Sequence, residues 1–338
     1  MPTKLETWLA QVVEEPLEPD LPICDPHHHF WNARPGHDPY LLDDLQRDAG
    51  SGHRIVQTVF VECHSEYRQD GPAALQPVGE TVFVEAIANC GVSESTAAAA
   101  GIVSHADFRL GNGVAEVLGA HAAASPGRFR GIRQGAGWDP SPAINVSGTQ
   151  SPGLLLDAQF RQGIACLQAQ GLSFDALLYH SQLLDLVDLA NAFPDLPIIL
   201  NHIGRPLGIG PYAGKRVEVF PVWQEAISTV AACPNVVVKV GGLGNPISGF
   251  DWHQRDVPPT SAELADTMAP YYLYCIEQFG ANRCMFESNF PVDKASYSYQ
   301  VVWNMFKRIS QDFSQAERAA LFHDTAARVY RLPAAPDA

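Results

Sequence analysis

The sequence predicts a closed (β/α)8 barrel of the TIM-barrel class, built as a single domain. Three observations carry this. Eight short runs rich in Val, Ile and Phe recur along 338 residues. Most of them are apolar almost throughout, as strands covered on both faces are. Segments of helical period separate them, most closed by Gly or Pro. A strand and helix unit repeated over this length fits one barrel, with a doubly wound open sheet as the alternative architecture.

The runs are "ICDPHHHF" (23–30), "RIVQTVFVECH" (54–64), "GIVSHADF" (101–108), "FRGIRQG" (129–135), "FDALLYH" (174–180), "PIILNHIG" (197–204), "NVVVKVGGL" (235–243) and "RCMFESNFP" (283–291). Helices are expected over 157–170, 182–192, 217–232, 261–279 and 297–311. A last one opens at "SQAE" (314–317), where Ser and Glu have capping-box spacing. Residues 1–22 precede the first run as an N-terminal extension, and 23–338 form the barrel. Two connections, 136–153 and 243–260, are too long for simple turns. Both follow a strand, which puts them over the C-terminal mouth as substrate lids.

Lys and Arg number 22 against 37 Asp and Glu, a net charge of −15. Such a field repels phosphate backbones and anionic membrane surfaces, so neither nucleic acid nor a membrane is expected as partner. The 46% hydrophobic content supplies a large core. Seven cysteines without a CxxC fit a reducing cytoplasm. The N-terminus carries acids and lacks the basic start and apolar stretch of a signal peptide. A homo-oligomer is left open.

Side chains alternate along a strand, so His27 and His29 share a face and His28 takes the other, toward the helices. Catalytic groups of a barrel gather at the C-terminal ends of its strands. His64, Arg133, His180, His202 and Asn289 all fall at or near such ends. A lone histidine closing a strand is usually a hydrogen-bonded structural residue, and His64 by itself reads that way. The set His27, His29, His180 and His202 reads as a metal site instead, because neutral imidazole is the commonest ligand of Zn²⁺ and similar ions. Glu287 lies one layer below Asn289 by alternation, and a buried carboxylate needs a partner; Lys239 on the neighbouring run is the expected one. Arg133 either holds a substrate carboxylate or pairs with Glu62.

With these residues placed, the chain resembles the amidohydrolase superfamily, in the branch of amidohydrolase-related barrels that includes sugar-acid lactonases and pyrone dicarboxylate lactonase. "DPHHHFW", "FRGIRQG", "LLYH", "NHIGRP", "VVVKVGGLG", "RCMFESNFPVD" and "HDTAARVYRL" carry the resemblance in order over nearly the whole chain. It implies that His27, His29 and His180 hold a divalent metal, Zn²⁺ foremost, and that Arg133 grips an anionic substrate; Arg205 and His64 are further candidate substrate contacts. The branch usually has an Asp base on its last strand. Asn289 stands there, and an amide oxygen is neither a base at neutral pH nor a strong ligand. Asp293 or His202 then takes the proton.

The expected activity is opening of a small lactone by water, assisted by the metal or by the imidazoles, on a small anionic or sugar-acid-like substrate. A metal-dependent decarboxylase of the same superfamily, and a barrel that has lost catalysis, are the rival readings.

Overall fold

A computed structural model describes residues 3–34, 36–90, 92, 93, 96–144 and 151–335. Eight parallel strands run in sequence order: β1 (Ile23–His28), β2 (Ile55–Val61), β3 (Thr96–Ser104), β4 (Phe129–Gly135), β5 (Ser173–Leu177), β6 (Ile198–Leu200), β7 (Val236–Val240) and β8 (Cys284–Phe286). Val92–Ser93 adds a two-residue antiparallel flap on β3. The ring closes just beyond β8, where His28 bridges Phe290 and His29 N–H donates to the Phe290 carbonyl at 2.8 Å. Asp25 clasps the same seam. Its carboxylate accepts from the Ser288 amide at 3.0 Å, the Ser288 hydroxyl at 2.5 Å and the Tyr299 hydroxyl at 2.9 Å.

The expected helices form within one or two residues of their predicted ends, as Ala158–Ala169, Leu183–Ala192, Arg216–Ala231, Ser261–Phe279 and Tyr299–Ile309. Ser314 accepts from the Glu317 amide, closing the capping box read from "SQAE". The third strand begins earlier than expected, inside "TAAAAG". Alanine is a poor strand former, but Ala98, Ala99 and Ala100 are buried, and tertiary packing overrides so weak a preference.

The lower interior is filled by Cys24, Val59, Val61, Val103, Ile199, Val237 and Met285, closed from below by Ala326, Val329 and Tyr330 of the C-terminal segment. Above this floor Lys239 Nζ donates to Asp175 Oδ1 at 2.9 Å, and the same oxygen accepts from Tyr330 OH at 2.8 Å and Asn201 Nδ2 at 2.9 Å. This corrects the expected partner of Lys239, which is Asp175 and not Glu287. The extension preceding β1 lies along Tyr299–Ile309: Lys307 Nζ donates to the Leu17 and Glu18 carbonyls, each at 2.7 Å. Among the described residues no helix is long and apolar enough to cross a membrane.

Candidate active site

Three strands, β2, β6 and β8, stop short of their expected ends where site residues themselves break β geometry. His64, His202, Arg205 and Asn289 have left-handed φ values of 59°, 53°, 38° and 55°. Such conformations are sparsely populated for residues other than Gly and cluster where a chain aims a side chain at a site. The glycines of "VVVKVGGLG" make room for this. A Cβ on Gly242 would stand 2.4 Å from His202 Nδ1, and one on Gly241 would stand 2.5 Å from Glu287 Cγ.

At the centre Glu287 faces two imidazoles. Its Oε1 lies 2.7 Å from His202 Nδ1 and its Oε2 lies 2.6 Å from His27 Nδ1. Arg133 donates from its terminal nitrogen to His27 Nε2 at 3.2 Å, which fixes the hydrogen of His27 on Nδ1. His29 is set the same way, since its Nδ1 donates to the Val61 carbonyl at 2.7 Å. His202 and His29 therefore turn an Nε2 without a hydrogen away from their tether, as imidazoles held by a carboxylate or carbonyl do in metal sites, while Nε2 of His27 is covered by Arg133. Burial holds all three well below the ordinary histidine range, and nearby cations add to that, so they are neutral. His202 Nε2 is buried with no partner.

His28 takes the opposite face as expected, its Nε2 2.9 Å from Thr58 Oγ1 and its ring against Phe30 and Phe60.

His27, His202 and Glu287 each offer a ligand atom within 4.8 Å of the others. His29 flanks them, its ring centroid 5.0 Å from that of His27. The expected third member, His180, is placed differently. Its Nδ1 accepts from the Leu207 amide at 3.3 Å and its ring meets Tyr212 at 5.3 Å. Accepting at Nδ1 puts the hydrogen of neutral His180 on Nε2, so the ring presents a donor there. Two imidazoles and a carboxylate suit a divalent cation of the zinc class, and the orphaned His202 Nε2 is the atom such an ion would satisfy.

Arg133 is committed to Glu62. Its Nε donates to Glu62 Oε1 at 2.7 Å and a terminal nitrogen donates to the Glu62 carbonyl. Of the two roles left open for Arg133, the ion pair is the one formed. Burial raises Glu62, but Arg133 and the nearby His64 and His105 outweigh it and hold the carboxyl at about 2. Arg205 has no ion-pair partner among the described residues, and its buried Nε is unsatisfied. Burial, then Arg133, lower its guanidinium to about 10. His64 is 60% exposed and faces Tyr67 and His105 at the rim.

Asn289 Nδ2 donates to Asp293 Oδ1 at 2.7 Å, which turns Asn289 Oδ1 toward His29 Nε2, 3.4 Å away. Asp293 is fully buried, and its Oδ2 accepts from Tyr297 OH at 2.9 Å and the Gly244 amide at 3.0 Å. Both oxygens are thus engaged. His105 was missed by the sequence reading, although it directly follows β3 and the strand-end rule that selected His64 would have found it.

Above the site the long connections pack on each other through Ile144 and Ile247, joined by Tyr179 and Leu207. Positions 145–150 of the first expected lid lie outside the described residues. A cavity of about 350 Å³ opens between Leu207, Tyr212, Arg216, Ser248, Phe250 and Tyr271, and none of the histidines lines it.

Comparison with known proteins agrees with this architecture. An uncharacterized protein, y4mH, of Sinorhizobium fredii is 34% identical over 93% of this chain and 99% of its own length. L-fucono-1,5-lactonase of Burkholderia multivorans is 27% identical over 93% of this chain and 97% of its own length. A solved amidohydrolase structure from Burkholderia multivorans with bound Zn superposes with a TM-score of 0.71 at 25% identity, covering 92% of this chain and 99% of that one. The amidohydrolase family model spans residues 24–332, from the strand that carries His27 to the segment that plugs the barrel floor. That span takes in every strand and every polar group just described, and the chain is a hydrolase belonging to the amidohydrolase family.

Proposed function

We propose that the protein opens a small lactone bearing a carboxylate or several hydroxyls. The observation that carries this reading is the His202–Glu287 couple. A neutral imidazole with a bare, buried Nε2 is backed at Nδ1 by a carboxylate 2.7 Å away. This is the arrangement of a general base whose third group orients the ring and steadies the charge it acquires. Support for the lactone comes from the relative named L-fucono-1,5-lactonase.

His202 Nε2 takes the proton of the attacking water, and Glu287 stabilises the imidazolium that results. Asn289 Oδ1, held by Asp293, accepts the second hydrogen of that water. Asp293 itself positions and does not touch the reacting atoms, since its oxygens are occupied. His180 offers an Nε2–H hydrogen bond to the ring carbonyl, and the His202 imidazolium returns its proton to the departing ring oxygen as the acyl C–O bond breaks. Arg205 binds the substrate carboxylate or hydroxyls, because Arg133 is already spent on Glu62. His27 and His202, with Glu287 and the flanking His29, would alternatively hold a divalent ion, Zn²⁺ foremost, and His202, with one lone pair on Nε2, would then serve as a ligand in place of acting as the base. When bound, such an ion supplies Lewis-acid polarisation of the ester carbonyl or of water.

The test is a panel of sugar-acid lactones and carboxylated pyrones followed by acid release. One proton per ring opened is expected, with Arg205→Ala raising KM tenfold or more and leaving the melting temperature near that of the parent. Release of CO₂ from a carboxylated substrate, or no acid from any lactone, would sink the reading.

A further inference from the structure

A second group of metal-capable side chains stands on the rim, apart from the central cluster. Glu62, His64 and His105 each offer one ligand atom, and these lie within 4.8 Å of one another. One ring is held in a fixed tautomer, and the other can adopt the same one. His105 Nδ1 donates to the Arg133 carbonyl at 3.1 Å, which leaves its Nε2 bare. His64 Nδ1 stands 2.9 Å from Tyr67 OH, a hydroxyl that can accept or donate; with His64 as the donor its Nε2, 3.6 Å from Glu62 Oε2, is bare too. The tethers, a backbone carbonyl and a hydroxyl, are the outer contacts that orient ligating imidazoles.

Glu62 gives the independent sign that a ligand is wanted. The residue is 2% exposed, yet its Oε2 has no hydrogen-bond partner, while Oε1 is held by Arg133. An unsatisfied carboxylate oxygen under cover is costly unless something positive meets it. The 3.6 Å contact with His64 is too long to be that hydrogen bond. Exposure of His64 leaves a way in and room for water on the ion.

We infer that Glu62, His64 and His105 form a second divalent-cation site on the rim, of the zinc class, with two imidazoles, one carboxylate and a water completing four-coordination. The site shares Glu62 with Arg133, whose guanidinium also reaches His27 in the central cluster.

The test uses the full chain stripped with a chelator and titrated with Zn²⁺, and separately with Co²⁺, whose visible spectrum reports coordination by nitrogen. The parent is expected to bind one equivalent that His64→Ala and His105→Gln each weaken tenfold or more, with the same loss in the Co²⁺ spectrum. His27→Asn should leave that equivalent in place and affect only binding at the centre. His64→Ala alters an exposed side chain and should not impair folding, which circular dichroism checks. The proposal is overturned if both rim variants bind metal with the parent's stoichiometry and affinity, or if the parent binds no metal outside the residues removed by His27→Asn. Neither result bears on lactone opening, which is read separately by acid release.

Discussion

Asn289 donates its side-chain amide to Asp293 Oδ1 at 2.7 Å, and this one contact decides what faces the histidines. With Nδ2 engaged below, the carbonyl oxygen of Asn289 is presented to His29. The residue that departs from the usual Asp of this branch is therefore not loose. Asp293 beneath it, pushed up to about 7 by burial against the pull of its Tyr297 and Asn289 hydrogen bonds, serves as its anchor.

Asn289→Asp replaces that donated hydrogen bond with two carboxylates in contact, which share a proton. Their folded-state pKa lies above the unfolded value. The folded protein then holds the proton more tightly, and stability rises as pH falls from about 7 toward about 4. Relative to the parent, the metal-free variant should be less stable at pH 8 by about 1–3 kcal/mol, with the gap closing in acid. Urea unfolding across that range checks it. A gap independent of pH would mean that Asp293 does not contact position 289.

Lys239 and Asp175 form a fully buried pair on the barrel floor, 2.9 Å apart. Removing one partner strands the other charge, so Lys239→Met or Asp175→Leu alone should cost about 3–5 kcal/mol. The double variant should recover at least half of the summed loss, because no uncompensated charge remains. Denaturant midpoints for the four proteins give the coupling. Strict additivity would show that the two residues do not interact.

Glu62 titrates at about 2 in the fold, where burial raises it and Arg133 more than reverses the shift. A depressed carboxylate contributes stability that is complete above its unfolded pKa of ~4.3 and is lost as pH falls toward the folded value. Glu62→Gln strands the buried Arg133 and should lower stability at pH 7 by about 3–5 kcal/mol. The difference from the parent should shrink steadily between about pH 5 and the lowest pH at which the fold survives. An undiminished difference in acid would assign the loss to packing rather than to the ion pair.

Several parts of this protein were legible in the chain alone. The spacing of the runs gave the strand count, Gly and Pro gave the helix ends, and the alternation of "HHH" separated His27 and His29 from His28. These are local properties, set by the repeat of the backbone and by which residues tolerate a turn. The strand-end rule also picked out His202 and Asn289, since it needs only the place where an apolar run stops.

Which of those groups meet was decided by the tertiary structure. Lys239 faces Asp175, two strands away across the ring, because register and tilt in a closed barrel set neighbours that no sequence interval encodes. Glu287 was thereby released to face His27 and His202. The hydrogen of His180 is fixed by an amide from Leu207, on another loop, and the commitment of Arg133 by Glu62 on another strand. A residue's type sets what it can donate or accept. Which nitrogen is bare and which cation is uncommitted depend on partners brought within 3 or 4 Å only when the ring closes.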